Sequence, residues 1–197
     1  MKNLLKNGLI IGKKMKITLT TLLLFAVFLV GCVDTPISPV KNDDHSYQMI
    51  KLPKKSGMSV ETIFSVTETI DGDVGGIVRL NESYIAADGH TVEIDIKLNV
   101  KKNSFTGVVD FTITADDEYA AVHFSPAMVF NIPVELDLKF EGLDLPLISG
   151  DYDFVFIDDD GNIEIVAFNA IHVDENQGKI WVTKADIPHF SRYAFVN

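Results

Sequence analysis

The amino-acid sequence predicts an all-β protein whose main part is an antiparallel β-sandwich of about nine to ten strands. Apolar and polar residues alternate with a period of two over many short stretches, which is typical of strands with one buried and one solvated face. Segments rich in glycine, asparagine and aspartate separate these stretches at regular intervals. Outside the first 31 residues no stretch has the 3.6-residue period of a helix, and this combination favours a sandwich.

The N-terminus has the composition of a signal peptide. Five lysines and no acidic residue occur in the first 16 positions, and an uncharged apolar run of 14 residues follows at positions 17–30. A basic segment, a short apolar segment and a small residue are the three parts of a secretory leader. The apolar run is shorter than the roughly 20 residues that span a bilayer. The sequence therefore predicts a helical signal peptide over residues 1–31, starting at Met1 or at Met15.

The leader ends at Leu29-Val30-Gly31-Cys32, and Cys32 is the only cysteine in the chain. This tetrapeptide resembles the lipobox of bacterial lipoproteins. The resemblance implies diacylglyceryl transfer to the Cys32 thiol, cleavage before Cys32 and acylation of the new amino group, for example with palmitate; several chains on one residue anchor a protein stably. It also implies a place in the cell envelope, at the outer membrane if the cell is Gram-negative, because Val33 rather than an aspartate follows the cysteine. An ordinary signal peptide with a spare cysteine, or a short anchor that is never cut, is the alternative.

The charge of the mature chain excludes one class of partner. Removal of residues 1–31 leaves 166 residues, and because the leader holds five of the 17 basic residues, 12 remain against 28 acidic ones, a net charge of −16. A chain of this length has enough residues for one domain with a core of its own. An acidic domain is repelled by phosphate backbones, so nucleic acid is not an expected partner.

Residues 32–58 have the composition of a flexible tether. The segment is polar and contains Pro36, Pro39 and Pro53. A flexible chain of about 25 residues has a root-mean-square reach on the order of 25–30 Å, enough to hold a domain clear of lipid headgroups. The sequence therefore predicts a lipidated cysteine and linker over residues 32–58 and a folded domain over residues 59–197.

The first half of the predicted domain contains the clearest alternation. Strands are predicted at residues 60–67 and 77–80, with turn-forming residues at 71–76 between them. The most regular stretches are residues 92–100, 109–114 and 134–140. These stretches predict half-buried antiparallel strands.

Shorter strands are predicted in the second half. Residues 152–157 and 162–167 flank an acidic turn that ends in Gly161, which predicts a hairpin. Three further strands are predicted at residues 171–173, 179–183 and 190–196, and the segments 174–178 and 186–188 separate them.

One segment has a pattern more specific than alternation. Residues 124–134 read Phe-Ser-Pro-Ala-Met-Val-Phe-Asn-Ile-Pro-Val. They resemble the signature of ZU5-like β-sandwich domains, in which a strand ends in Phe-x-Pro and a short loop leads to Phe-x-x-Pro-Val. Residues 74–78 and 189–193 agree with the same resemblance, which covers roughly residues 60–197. ZU5 domains are mostly protein-interaction and scaffold modules, so the resemblance implies an interaction module whose protein partner the sequence does not name.

The triplet His189-Phe190-Ser191 suggests one chemical reaction. In some ZU5-containing animal proteins a His-Phe-Ser triplet cleaves itself between Phe and Ser, and the resemblance implies the Phe190–Ser191 bond here. The chemistry requires a strained peptide, attack of the Ser191 hydroxyl on the Phe190 carbonyl, and a base such as His189 that accepts the proton. The alternative is the plain start of a last strand, with Phe190 in the core and the other two side chains toward solvent.

Asp158, Asp159 and Asp160 suggest a calcium site. An EF-hand with Asp158 and Asp160 at its third and fifth positions would place Phe156 first and Ala167 twelfth, so that motif fails. A looser oxygen site and a charged hairpin turn are the two readings left open.

Four aromatic side chains could stack on sugar rings: Tyr152, Phe154, Trp181 and Tyr193. The alternative is that they belong to the core, as most aromatic residues of a sandwich do. The five histidines lack the spacing of a zinc site, and no Gly-x-Ser-x-Gly motif is present.

The sequence as a whole indicates a lipid-anchored cell-envelope protein with a non-catalytic, ZU5-like interaction or surface module. The alternatives are a self-cleaving domain cut between Phe190 and Ser191, and a calcium- or glycan-binding sandwich. No cofactor is expected. The expected partners are the membrane, through the lipid anchor, and an unidentified protein.

Overall fold

Eleven strands and one short 3₁₀ helix account for the regular structure of the described residues. The computed structural model describes residues 47–57, 64–145, 151–158 and 160–197. In chain order the strands are β1 (Ser65–Asp71), β2 (Gly76–Ile85), β3 (Thr91–Val100), β4 (Val108–Ala115), β5 (Ala121–Ser125), β6 (Val129–Glu141), β7 (Asp153–Ile157), β8 (Ile163–Ile165), β9 (Ala170–Asp174), β10 (Lys179–His189) and β11 (Arg192–Val196), and the 3₁₀ helix is Glu175–Gln177.

The strands form two antiparallel sheets. The six-stranded sheet has the order β1-β4-β5-β11-β7-β8, and the five-stranded sheet has the order β2-β3-β6-β10-β9. Buried side chains of both sheets belong to one apolar core. The prediction of an all-β, antiparallel β-sandwich is therefore confirmed, with eleven strands instead of nine to ten.

Two differences from the predicted strands have local causes. Alternation alone does not predict strand β5, because Ala121 and Val122 are both buried. Only the resemblance to ZU5-like domains implied a strand that ends at residues 124–126. Residues 186–188 do not separate two strands: β10 runs through them to His189, and Pro188 falls at a register shift where an irregular ladder tolerates a residue without an N–H.

The alternating strands place their side chains as the sequence predicts. In β3 the residues Val92, Ile94, Ile96 and Leu98 are buried, and the acidic residues between them are exposed. Register aligns this set with β6 and β10: Ile94 lies opposite Phe140, and Phe140 lies opposite Ile180. The other side of the five-stranded sheet is therefore lined by polar residues of the same three strands.

Aromatic side chains fill one end of the core. The ring centroid of Phe190 lies 4.7 Å from that of Phe111, 4.9 Å from that of Phe130 and 5.2 Å from that of Phe124. Edge-to-face and stacked rings at these distances add to the free energy gained by burying their area. Phe190 is 3% exposed, so it is a central residue of this cluster.

Residues 47–57 pack against the sandwich. The Ile50 amide donates to the Phe195 carbonyl at 3.1 Å, and the Ile50 carbonyl accepts from the Ala120 amide at 2.8 Å. The Ile50 and Leu52 side chains belong to the main core, while Met49 covers a second apolar cluster that includes Val196. The predicted tether is thus wrong for residues 47–57, because their apolar side chains fill space that the eleven strands leave open.

Candidate functional site

The polar side of the five-stranded sheet combines charged side chains with a large aromatic residue. Its side chains are the outward-facing residues of β2, β3, β6, β10 and β9, and we call this surface the outer face. It carries positively and negatively charged side chains and one large aromatic residue, Trp181, which is half-buried.

Register brings five outer-face residues into one line across the strands. His172 pairs with Trp181, Trp181 with Lys139, Lys139 with Asp95, and Asp95 with Asn81. Directly opposed residues on one face of an antiparallel sheet have Cβ atoms about 5 Å apart, close enough to interact. We call these five residues the Trp181 row.

Trp181 and His172 stack face to face at one end of the row, so the imidazole covers one face of the indole. Their ring centroids are 4.7 Å apart and their planes differ by 14°. Strand β10 lies between β6 and the edge strand β9, and the stack is held by a continuous ladder that pairs residues 170–174 with residues 179–183.

Ion pairs flank the aromatic stack. Glu141 accepts from Lys139 at 2.9 Å on one carboxylate oxygen and from Lys179 at 2.8 Å on the other. Hydrogen bonds from Lys179 and then Lys139 hold the pKa of Glu141 below its usual value. The same hydrogen bond to Glu141 raises the pKa of Lys139. Glu141 and Lys139 therefore stay charged around neutral pH, and a single carboxylate serves two lysine side chains.

A second pair lies on the other side of Trp181. Asp137 accepts from the Lys97 ammonium at 3.0 Å and from the Lys184 backbone amide at 3.0 Å. Burial pushes the pKa of Asp137 upward, but these two hydrogen bonds outweigh it and the pKa is lowered. Lys184 has a φ of 49° at an irregularity in β10, and this bend directs its amide at Asp137.

Two open depressions border Trp181. One of about 250 Å³ lies toward β6 and β3 and is lined by the ion pair of Lys97 and Asp137. The other, of about 720 Å³, lies toward β9 and is lined by Tyr152, Asp174 and Asn176. An aromatic ring between two depressions that both carry polar side chains can hold a ligand with an apolar ring face and polar edges.

Among the aromatic residues predicted to contact sugars, Trp181 and Tyr152 border the depressions. Phe154 and Tyr193 are fully buried in the core, so the structure contradicts a sugar-stacking role for these two. His172 was missed by the sequence reasoning, since pairing between β9 and β10 is needed to place it beside Trp181.

The triplet His189-Phe190-Ser191 spans the turn from β10 to β11 rather than the start of the last strand. His189 ends β10, Phe190 is in the core, and β11 begins at Arg192. The Phe190 amide donates to the Met128 carbonyl at 2.8 Å, and the Ser191 carbonyl accepts from the Phe124 amide at 2.9 Å.

The His189 ring contacts aromatic residues. Its centroid lies 4.5 Å from the Phe156 ring and 6.2 Å from the Tyr193 ring. Among the described residues a different histidine, His123, lines the same depression as Ser191. Burial, followed by the charge of Arg192, lowers the pKa of His123, so its imidazole is neutral at neutral pH. Self-cleavage at Phe190–Ser191 stays a prediction.

The acidic turn after β7 is organised by Asp158. Its carboxylate accepts from the Asp160 amide at 3.0 Å, from the Asn162 amide at 2.7 Å and from the Asn162 side chain at 2.7 Å. These bonds lower its pKa. Strands β7 and β8 pair on either side, so the predicted hairpin is present. Asp159 lies outside the described residues, and in the described part of the chain no three His, Cys, Asp or Glu side chains are grouped to hold a metal ion.

Cys32 and the predicted signal peptide, residues 1–31, lie outside the described residues. In the ranges that the structure covers, no helix has the length and apolarity needed to cross a membrane.

No protein-family model matches this chain, and no curated protein or solved structure is significantly similar to it.

Proposed function

We propose that this protein is an exported lipoprotein, anchored through acyl chains on Cys32, whose β-sandwich acts without catalysis as a binding module at the cell envelope. The observation that carries the proposal is the order of the N-terminal segments: five lysines, a short apolar run, and Leu29-Val30-Gly31-Cys32. In a Gram-negative cell the membrane is the outer one, because Val33 follows the cysteine.

The binding role is supported by the resemblance of residues 124–134 to ZU5-like domains, which are mostly interaction modules. It is also supported by the outer face, where a half-buried Trp181 lies among paired charges. A solvent-exposed polar surface that keeps a large aromatic residue is the composition expected of a recognition site.

The packed segment 47–57 shortens the linker that the proposal requires. Only residues 33–46, 14 in number, lie between Cys32 and the first residue packed on the sandwich.

The experiment that tests the anchor compares acylation of the full chain with that of Cys32→Ser in a bacterial host. We expect metabolic labelling with an alkyne fatty acid to be lost in Cys32→Ser, because the acceptor thiol is removed, and the uncut leader to remain on the chain. Ser38→Ala, a change in the same linker, is the matched control and should label normally. Labelling of Cys32→Ser at the normal level would refute the anchor.

A further inference from the structure

We propose that the Trp181 row binds a neutral carbohydrate chain that lies across the strands of the five-stranded sheet. This inference rests on the proposed role as a binding module and specifies its ligand. The juxtaposition of an aromatic stack, paired charges and exposed hydrogen-bonding groups along one row leads to it.

The aromatic end of the row suits a sugar ring. A pyranose presents C–H groups on its faces, and these pack against a flat aromatic surface, which is apolar and carries negative charge on its face. His172 stacks on one face of Trp181, with ring planes 14° apart, and supports the indole, whose opposite face is the one a sugar ring would contact. Because Trp181 is only half-buried, part of its ring faces water, and covering it with a sugar ring is favourable.

The charges beside the stack are compatible with a neutral ligand. Lys139 and Lys179 are already paired with Glu141, and Lys97 is paired with Asp137. Each of these lysines thus already has a carboxylate partner, so the surface does not require a charged ligand. Hydroxyl groups can donate to the remaining carboxylate lone pairs and accept from the remaining ammonium hydrogens without breaking these pairs.

The other end of the row offers unused hydrogen-bonding groups. Asn81 and Asp95 are exposed, and neither side chain makes a hydrogen bond within the described part of the chain. Neighbouring strands are about 4.8 Å apart, so five strands give a row of roughly 19 Å. Together with the depressions on both sides of Trp181, this length fits several sugar units rather than one.

The outer side of the six-stranded sheet lacks these properties. The side chains of Tyr47 and Met49 cover its apolar centre around Val196. On β1 and β4 the hydroxyls bond to one another, as in the pair of Thr67 and Thr112 at 2.8 Å. The outer face of the five-stranded sheet is therefore the better carbohydrate surface.

The test uses the full chain, purified in detergent, and its only tryptophan as the reporter. The probes are cello-, chito-, xylo-, manno- and malto-oligosaccharides and the corresponding insoluble polymers. We expect at least one of them to shift the Trp181 fluorescence saturably and to retain the protein. In Trp181→Ala retention should fall by at least about tenfold, in Trp181→Phe by less, and in Asn81→Ala severalfold.

Val129→Ala is the matched control, since Val129 is 78% exposed at the start of β6 and lies off the row; it should bind as the wild type does. Melting temperatures of all variants show that they are folded. Absence of binding to every probe, or undiminished retention of Trp181→Ala, overturns the carbohydrate proposal. Neither result affects acylation at Cys32, which the labelling experiment measures separately. The carbohydrate proposal and the proposed lipid anchor can therefore fail independently.

Discussion

His90 shows how a single residue depends on distant parts of the chain. Its Nε2 lies 2.8 Å from the Gly142 carbonyl oxygen, and its Nδ1 lies 2.5 Å from the Asp88 carboxylate. A neutral imidazole has one N–H, so only the protonated ring donates to both oxygens. The hydrogen bond to Gly142, followed by Asp88, raises the pKa of His90 although partial burial opposes it. Gly142 has a φ of 76°, and a Cβ there would lie 2.3 Å from the Thr91 carbonyl oxygen, so the turn requires glycine.

The first prediction concerns pH. Because the folded pKa of His90 is raised, its contribution to stability is fully present below the unfolded pKa of about 6.5 and is lost as pH rises through the folded pKa. We expect the melting temperature of His90→Gln to fall below that of the wild type at pH 5.5 and to approach it at pH 8.5.

The lowered pKa of His123 changes stability with pH in the opposite direction. His123→Gln should therefore gain stability relative to the wild type as pH falls. The difference between wild type and His90→Gln reports on His90 because both proteins retain His123. A melting-temperature difference between wild type and His90→Gln that does not change with pH would contradict the role of His90.

At the scale of elements, the turn between β10 and β11 combines a core anchor with a candidate reactive residue. The Phe190 ring is packed among aromatic rings, whereas Ser191 is half-buried beside an open depression. The Tyr193 hydroxyl donates to the His189 carbonyl at 2.7 Å and closes the turn. Substitution of Phe190 therefore tests how the turn contributes to stability, and substitution of Ser191 tests whether the turn is reactive.

The second prediction separates them. Phe190→Ala should lower the free energy of unfolding by about 3–5 kcal/mol, because it leaves a cavity among the aromatic rings. Ser191→Ala should change it by no more than about 0.5 kcal/mol. Denaturant unfolding of the full chain measures both.

Intact mass under denaturing conditions tests self-cleavage in the same samples. A wild-type mass short by residues 191–197, with Ser191→Ala whole, would make this a self-processing domain. Whole chains in both would leave the triplet as a structural turn.

At the scale of the whole molecule, residues 47–57 decide where the folded unit begins. They add backbone hydrogen bonds to β11 and the loop before β5, and they cover apolar residues on both sides of the six-stranded sheet. Ile50 is 5% exposed and Leu52 is 8% exposed, values typical of core residues. A chain shortened to residues 59–197 would lose these contacts.

The third prediction tests this boundary in the full chain. Ile50→Ala should lower the free energy of unfolding by about 2–5 kcal/mol, the usual cost of truncating a buried isoleucine. Lys51→Ala, the exposed neighbour, should change it by at most about 0.5 kcal/mol. Equal effects of the two substitutions would mean that the segment is not part of the core.

The sequence by itself determined the fold class and the two faces of the long strands. Alternation is a local property, so Val134, Leu136 and Leu138 specify their burial wherever their strand is placed. Alternation could not predict the short strand β5 or the extension of β10 through Pro188, because burial on both faces and an irregular register hide the period of two.

Only the tertiary structure decided which residues meet. The order of strands within each sheet and their register place Lys139 beside Trp181 and His172, although Lys139 is distant from both in sequence. The same is true of Ile50 against Phe195 and of His90 against Gly142. The physical reason is that side-chain direction follows from the backbone of one strand, whereas pairing and packing depend on the free energy of the whole chain.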